Sequence, residues 1–199
     1  MINHRPDDDP AATSALLLPL LTLLYRGYEY AVENVRTYFQ EQKLTYSPYA
    51  FSGLVRCHLH DFVSAPRWTR LGFKILRLSN DGIDIEYRGC RIKVWKGTDE
   101  LPAPQSDARE AYCYQPSLFP LGAPGAPLRR LVITWELNAE DHSLKKLFLI
   151  CPKWDGSDTE VHWSQEISHP AAMISAGQGF VSLDDLDEPD EQQIGREDR

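Results

Sequence analysis

Three potential metal ligands lie close together in residues 56–61, which read RCHLHD. On a helix, Cys57, His60 and Asp61 share one face because they occupy positions i, i+3 and i+4. Thiolate, imidazole and carboxylate groups bind zinc and other divalent transition metals. A further ligand would come from elsewhere, such as His142, His162 or His169. The structural alternative is that histidines near the end of a helix interact favourably with its dipole.

A second candidate site consists of two carboxylates and a lysine on adjacent predicted strands. Asp84, Glu86 and Lys93 fall on one face of a sheet, an arrangement that can hold a hydrolytic metal. The alternative is cross-strand ion pairing with Arg77, Arg91 and Lys93, which predicts an ordinary solvated face. Both interpretations stay open. No cofactor is predicted, except a divalent transition metal under the first interpretation.

Tryptophans near the ends of predicted elements are candidates for partner binding. Trp68, Trp95 and Trp154 lie at such positions, and aromatic anchors carry much of the energy of protein interfaces. Single exposed aromatic side chains also occur on surfaces that have no function. The chain has no GxSxG motif, no phosphate-binding glycine loop and no dinucleotide fingerprint. The sequence therefore specifies no reaction.

The net charge of −8 is concentrated at the ends of the 199-residue chain. Residues 1–10 contribute −2 and residues 184–199 contribute −6, which leaves the body close to neutral. A neutral body offers no basic surface to a phosphate backbone, so we do not expect a nucleic-acid partner. The expected partner is another protein.

The longest apolar run, residues 11–24, is shorter than the roughly 20 residues that a membrane span needs. Pro19 interrupts it, its flank is acidic, and no small-residue cleavage site follows, which argues against a signal peptide. Four cysteines without a CxxC pair favour a reducing compartment. We therefore expect a cytoplasmic protein with no membrane segment.

Residues 73–96 predict a three-stranded antiparallel meander. Asp81-Gly82 is typical of a two-residue hairpin turn, and Arg88-Gly89 can close a second turn. In that register Leu78 pairs with Ile85 on the buried face of the sheet. The opposite face then carries the charged residues and Trp95, which is either covered by another element or marks a contact site.

Two amphipathic helices precede the meander, and three further strands follow it. Asp9-Pro10 or Thr13-Ser14 can begin the first helix, and we expect Pro19 to kink or restart it. Ser47-Pro48 begins a second helix, which ends before Pro66. The later strands are predicted at residues 131–137, 144–151 and 161–167, the middle one apolar on both faces.

The predicted fold class is α+β, with an antiparallel sheet of about six strands packed against the N-terminal helices. We expect residues 1–10 to be disordered, residues 11–182 to form a single domain, and residues 183–199 to form an acidic disordered tail. Residues 98–130 carry six prolines and predict a long loop with a short helix. In the last strand, Val161 and Trp163 are expected to point inward together.

The order of segments after the helix pair gives a resemblance. It includes GIDIEYRGCRIKVWKG at residues 82–97, LVITWELNAEDHSLKKLFLICPK at 131–153 and VHWSQEISHP at 161–170. In this order the chain resembles a group of uncharacterised bacterial proteins of the actinobacterial type. Some of these lie beside genes for metallopeptidase–regulator pairs of the toxin–antitoxin type. The resemblance covers roughly residues 25–170, carries over no active site, and implies a cytoplasmic partner-binding protein.

Two functional hypotheses follow. The first is a non-enzymatic protein-interaction component of a bacterial regulatory, defence or toxin–antitoxin-type locus. Its expected contact surfaces are the open face of the sheet, the proline-rich loop and the acidic tail. The alternative is a metal-dependent hydrolase or nuclease-like toxin. It would act through the helix that carries Cys57 and Asp61, or through the face of Asp84, Glu86 and Lys93.

Overall fold

The computed structural model describes residues 9–79, 82–97, 112, 129–154 and 159–169. Two helices, α1 (Pro10–Glu41) and α2 (Pro48–Val63), are followed by a short 3-10 helix (Pro66–Leu71). The strands are β1 (Lys74–Ser79), β2 (Gly82–Tyr87), β3 (Cys90–Lys96), β4 (Arg129–Leu137), β5 (Leu144–Trp154) and β6 (Thr159–Glu166). The helices pack on a six-stranded, mostly antiparallel sheet, which confirms the predicted α+β class. Apart from Tyr112 and the first two residues of β4, the predicted proline-rich loop lies outside the described residues, and so does the predicted acidic tail.

Helix α1 runs without a break through Pro19 for 32 residues, so the predicted restart is wrong. Asp9 caps its start by accepting a hydrogen bond from the amide of Ala11 at 2.9 Å. An internal proline costs about 3 kcal/mol. Burial of each neighbouring leucine contributes about 1.5–3 kcal/mol, which offsets that cost. The buried leucines are Leu17, Leu20, Leu21, Leu23 and Leu24. No helix among the described residues has both the length and the apolar character needed to cross a bilayer.

Helix α2 begins where the sequence predicts. The Ser47 side chain accepts a hydrogen bond from the amide of Ala50, and Pro48 opens the first turn. The two helices approach closely at Gly27. A Cβ atom placed there would lie 2.8 Å from Cδ1 of Leu59 and 2.9 Å from Cδ1 of Phe62. A side chain at this position of α1 would therefore displace residues of α2.

The strands follow one another across the sheet in chain order. All neighbouring strands are antiparallel except β3 and β4, which are parallel. Parallel neighbours need a long crossover connection, and residues 97–128 supply it. The prediction of a wholly antiparallel sheet missed this pair because the alternation of side chains along a strand carries no information about strand direction.

The register of β2 against β3 is as predicted, but the register of β1 against β2 is not. Leu78 pairs with Ile83 instead of Ile85. Gly82 pairs with Ser79 inside the strands, so the predicted Asp81-Gly82 turn is wrong. An alternating pattern keeps its buried face when the register shifts by two residues, which explains why the pattern alone did not distinguish the two pairings.

Both outer strand pairs contain an irregularity of the β-bulge type. One follows Ile75 in β1. In the other, Cys151 pairs with Trp163 while the next residue, Pro152, pairs with Val161. The extra residue in β6 reverses the alternation of side chains. Trp163 consequently packs against the main core and Val161 against a second core, so the prediction that they share one face is wrong.

Side chains are buried on both faces of the sheet. The main core lies between the helices and one face, where Ile92, Leu131, Ile133 and Leu149 are fully buried. The second core is smaller and consists of Trp95, Tyr112, Val132, Phe148 and Ile150. Because β5 contributes to both cores, it is covered on both sides, in agreement with the prediction that it is apolar on both faces.

Replacement of Gly27 by alanine should lower the free energy of unfolding by about 1–2 kcal/mol, because the added methyl group displaces Leu59 and Phe62. Gly53→Ala is the matched control on α2, since a Cβ atom there meets no atom within 4 Å. The higher helix propensity of alanine should stabilise the protein by about 0.5–1 kcal/mol at this position. Urea unfolding followed by circular dichroism measures both changes. Stabilisation by both substitutions would contradict the close approach of the helices.

Candidate functional site

An open cleft of about 350 Å³ lies at the carboxyl ends of the parallel strands β3 and β4. These strands contribute Lys96 and Trp135, while Tyr46 of the α1–α2 connector and His142 of the β4–β5 loop line the cleft as well. Its volume is at the lower end of the range of ligand sites, about 300–1,000 Å³. In open α/β sheets, ligands bind outside the carboxyl ends of the strands, and this cleft has the same relation to its parallel pair.

Hydrogen bonds fix the loop that carries His142. The Asn138 side-chain amide donates to Oγ of Ser143 at 2.6 Å. The amide and hydroxyl of Ser143 donate to Oδ1 of Asp141 at 3.0 and 2.8 Å, and these bonds lower the pKa of the Asp141 carboxyl. His142 itself has a positive φ of 58°, a conformation that few residues other than glycine adopt. The loop is therefore a defined structure that positions the imidazole ring.

The ring of His142 stacks on the ring of Tyr46, with centroids 3.6 Å apart and planes at 9°. Phe51 is buried, and the centre of its ring lies 6.1 Å from that of His142 and 5.4 Å from that of Tyr46. Ring contacts continue from Phe51 to Phe39 at 5.6 Å, and from Phe39 to Tyr38 at 6.2 Å. We call these five rings the aromatic row. It runs without interruption from the cleft to Tyr38, which is 48% exposed on α1.

Lys96 places a positive charge at the cleft. Its Nζ atom lies 5.9 Å from the centre of the Trp135 ring, within the range of a cation–π interaction. Lys96 is exposed at the end of β3, and partial desolvation of its ammonium group lowers the pKa. Within the described part of the chain Lys96 makes no ion pair, whereas the cleft carboxylate of Glu136 is bound by Lys145 at 2.8 Å. The cleft therefore combines an ammonium group with aromatic rings, a combination suited to an anionic ligand that has an apolar part.

The predicted acid–lysine site lies on the face of the sheet opposite the helices. Asp84 is buried, and both of its carboxylate oxygens accept hydrogen bonds from Nε of Arg91, at 3.0 and 3.1 Å. These bonds raise the pKa of Arg91. Lys93 is the direct cross-strand neighbour of Asp84, but its Nζ atom lies over the ring of Tyr112 at 4.6 Å. The ion pair joins Asp84 to Arg91 on a diagonal, instead of the direct cross-strand pairs that the structural alternative predicts, and Glu86 is partly exposed beside it.

Tyr112 covers this face and contacts the predicted anchor Trp95. The Tyr112 hydroxyl lies 2.6 and 2.7 Å from the carbonyl oxygens of Arg91 and Leu131, on β3 and β4. Burial raises the pKa of this hydroxyl well above its usual value. The Tyr112 and Trp95 rings meet edge to face at 5.8 Å, and Trp95 is only 9% exposed. Trp95 is therefore covered by another part of the chain, which is the first of its two predicted alternatives, and the sheet is not open at this position.

The other two tryptophan candidates differ in what the structure shows of them. Trp68 is buried, with its ring 5.6 Å from Phe62 and the guanidinium of Arg67 above it at 4.6 Å. It packs inside the protein and is not an exposed anchor. Trp154 ends β5, and its side chain is outside the described part of the structure.

The predicted metal ligands lie on the last turns of α2. Cys57 is exposed. The His60 ring has its Nδ1 atom 3.6 Å from Oδ1 of Asp61 and its Nε2 atom 3.4 Å from Oγ of Ser64. The described residues contain no group of three or more His, Cys, Asp or Glu side chains placed to hold a metal ion. The structure thus does not bring the three predicted ligands together in such a group, and the hydrolase hypothesis stays a prediction.

The main residues of the cleft were not predicted as one site. His142 was considered only as a further metal ligand, Lys96 only as the end of a strand, and Tyr46 not at all. The chain matches no protein-family model, no curated protein and no solved structure. A sequence signal is present in the tyrosine next to the Ser47-Pro48 cap and in the polar turn around His142. Neither signal indicates that the two residues touch.

Iodoacetamide at pH 8 should modify Cys57 in the native protein and leave Cys90 unmodified. Burial raises the pKa of the Cys90 thiol to about 11, so roughly one molecule in a thousand carries the reactive thiolate at that pH. Peptide mass spectrometry after quenching measures the modification at each cysteine. In guanidinium chloride both should react. Equal modification of both residues in the native protein would contradict the burial of Cys90.

Lys96→Met should leave the melting temperature at pH 7 unchanged or raise it slightly. A lowered pKa means that folding disfavours the charged form, so the destabilisation is present below the folded pKa and disappears as the pH rises through the ordinary lysine value. The difference in melting temperature between Lys96→Met and the wild type should therefore become smaller at alkaline pH. Scanning fluorimetry measures it. Lys74→Met is the control with the same charge change, because Lys74 is also exposed but lies on β1, away from the cleft. Marked destabilisation by Lys96→Met alone would show that Lys96 has a structural role.

Proposed function

We propose that the protein is a non-enzymatic, cytoplasmic protein-interaction component of a bacterial regulatory, defence or toxin–antitoxin-type locus. We further propose that the cleft binds its partner. The observation that carries the proposal is that the cleft, with Lys96 and Trp135, is connected through the buried ring of Phe51 to an aromatic row that ends at exposed Tyr38. Aromatic side chains dominate the binding energy of protein interfaces, and a nearby charge adds specificity.

The extent of the exposed apolar surface favours a protein partner over a small molecule. Leu44 in the connector and Tyr49 at the start of α2 are 47% and 86% exposed, and both flank Tyr46 in sequence. Large exposed apolar side chains near a pocket are common at interaction surfaces. A bound polypeptide can contact both the cleft and the helix surface, whereas a small molecule would occupy the cleft alone.

Charge and resemblance support the remaining parts of the proposal. The near-neutral body and the acidic ends favour a protein over a nucleic acid. The resemblance to bacterial proteins near toxin–antitoxin-type genes supports the kind of locus. The acidic tail, residues 183–199, stays a predicted second contact region, and the buried Trp95 and Trp68 are no longer proposed as anchors.

Tyr38→Ala should weaken binding to the native partner at least fivefold, and Tyr46→Ala should weaken it at least tenfold, equivalent to about 1.4 kcal/mol. The tagged full chain is first purified from its own host, and native mass spectrometry identifies the protein bound at a fixed ratio. That protein is then produced separately, and isothermal titration calorimetry measures its affinity for each variant.

Tyr30→Ala is the matched control for Tyr38→Ala. Both tyrosines lie on α1 and are about half exposed, at 50% and 48%, but the ring of Tyr30 contacts Phe62 instead of the aromatic row. The control should retain wild-type affinity, and circular dichroism should show that all variants are folded. Wild-type affinity of folded Tyr38→Ala and Tyr46→Ala, or the absence of any bound protein, would overturn the proposal.

A further inference from the structure

The charge of the cleft indicates which chemical group a ligand would present. Lys96 is a single ammonium group, and the cleft carboxylate of Glu136 is already neutralised by Lys145. A carboxylate, with one negative charge, matches a single ammonium. Phosphate groups carry more charge and are typically bound by arginine forks or by several donors together. The complementary group is therefore a carboxylate.

The backbone around the cleft argues against a terminal carboxylate. Such groups are captured in nests of unbonded backbone N–H groups. Here the amide of Gly97 donates to the carbonyl of Trp135 at 3.3 Å, and the amide of His142 donates to the carbonyl of Asn138 at 3.1 Å. The amide of Asn138 also has a partner, the carbonyl of Ser143 at 2.9 Å. These three donors are already used within the protein, which favours a side-chain carboxylate as the group that Lys96 would bind.

Apolar groups line the cleft beside Lys96. Leu137 and Ala139 contribute aliphatic surface, and the Tyr46–His142 stack contributes ring surface. A ligand that reaches Lys96 would therefore also place an apolar group in the cleft. In an extended peptide, side chains two positions apart point in the same direction. An acidic residue at position i and an apolar residue at position i+2 would satisfy both parts of the site.

We infer that the cleft binds an extended segment of the partner protein with the pattern acid-x-apolar, in which the acidic side chain pairs with Lys96 and the apolar side chain enters the cleft. This inference rests on the proposed function and specifies the chemistry of the partner.

Fluorescein-labelled peptides test the inference with the full chain. The probe is Gly-Ser-Gly-Glu-Ser-Phe-Gly-Ser-Gly, and its matched control has Gln in place of Glu. Fluorescence polarisation should show that the Glu peptide binds wild-type protein at least fivefold more tightly than the Gln peptide. Lys96→Gln should remove this preference, and Lys96→Arg should keep most of it. Because the contact is ionic, raising NaCl from 50 to 500 mM should also reduce the preference of the wild-type protein for the Glu peptide.

Lys74→Gln is the control for net charge, because it removes an exposed lysine of β1. It should leave the fivefold preference unchanged. A preference that survives Lys96→Gln, equal binding of both peptides, or binding of neither would overturn the acid-x-apolar inference. Binding of 3-phenylpropionate as tight as that of the peptide would instead assign the cleft to small carboxylic acids. The proposed function is judged separately, by the response of the native partner to Tyr38→Ala and Tyr46→Ala.

Discussion

The parallel pairing of β3 with β4 is the constraint on which the rest of the structure depends. Two parallel neighbours cannot be joined by a tight turn, so the chain must return from Lys96 to Arg129 before β4 can begin. Tyr112 lies within this return and packs on the face opposite the helices, where it helps to bury Trp95. The same pairing places the carboxyl ends of two central strands side by side, and the cleft lies there. One choice of strand direction thus accounts for both the second core and the candidate site.

The cleft brings together residues from distant parts of the chain, and different contacts hold each of them. Phe51 supports the Tyr46–His142 stack from the core, while the hydrogen bonds of Asn138, Asp141 and Ser143 hold the loop. Lys96 differs from these residues because it is exposed and makes no ion pair among the described residues, so it contributes little to folding. Groups that do not contribute to stability are often kept for function. This contrast is the physical reason to regard Lys96 as part of a binding site.

The parts of the fold that the sequence could predict depend on local patterns, namely the alternation of side chains along strands and the capping of helices. Side-chain alternation placed β2, β3, β4 and β5, and the Ser47 cap placed the start of α2. Strand direction, the bulges and the continuity of α1 through Pro19 depend on tertiary packing and could not be derived in this way. The same distinction applies to the site. Alternation placed Trp95 on the correct face, but its burial under Tyr112 is a contact between segments that no local pattern encodes.

The irregular pairing of the two outer strands has a consequence for self-association. A regular edge strand presents evenly spaced backbone donors and acceptors on which another chain can add a strand. The irregularity after Ile75 interrupts that spacing on one side of the sheet, and the shift opposite Pro152 interrupts it on the other. Leu76, 43% exposed at the first irregularity, would otherwise be an apolar residue on a flat edge. Among the described residues neither edge is a regular template, and irregular edges of this kind disfavour the addition of a strand from another copy.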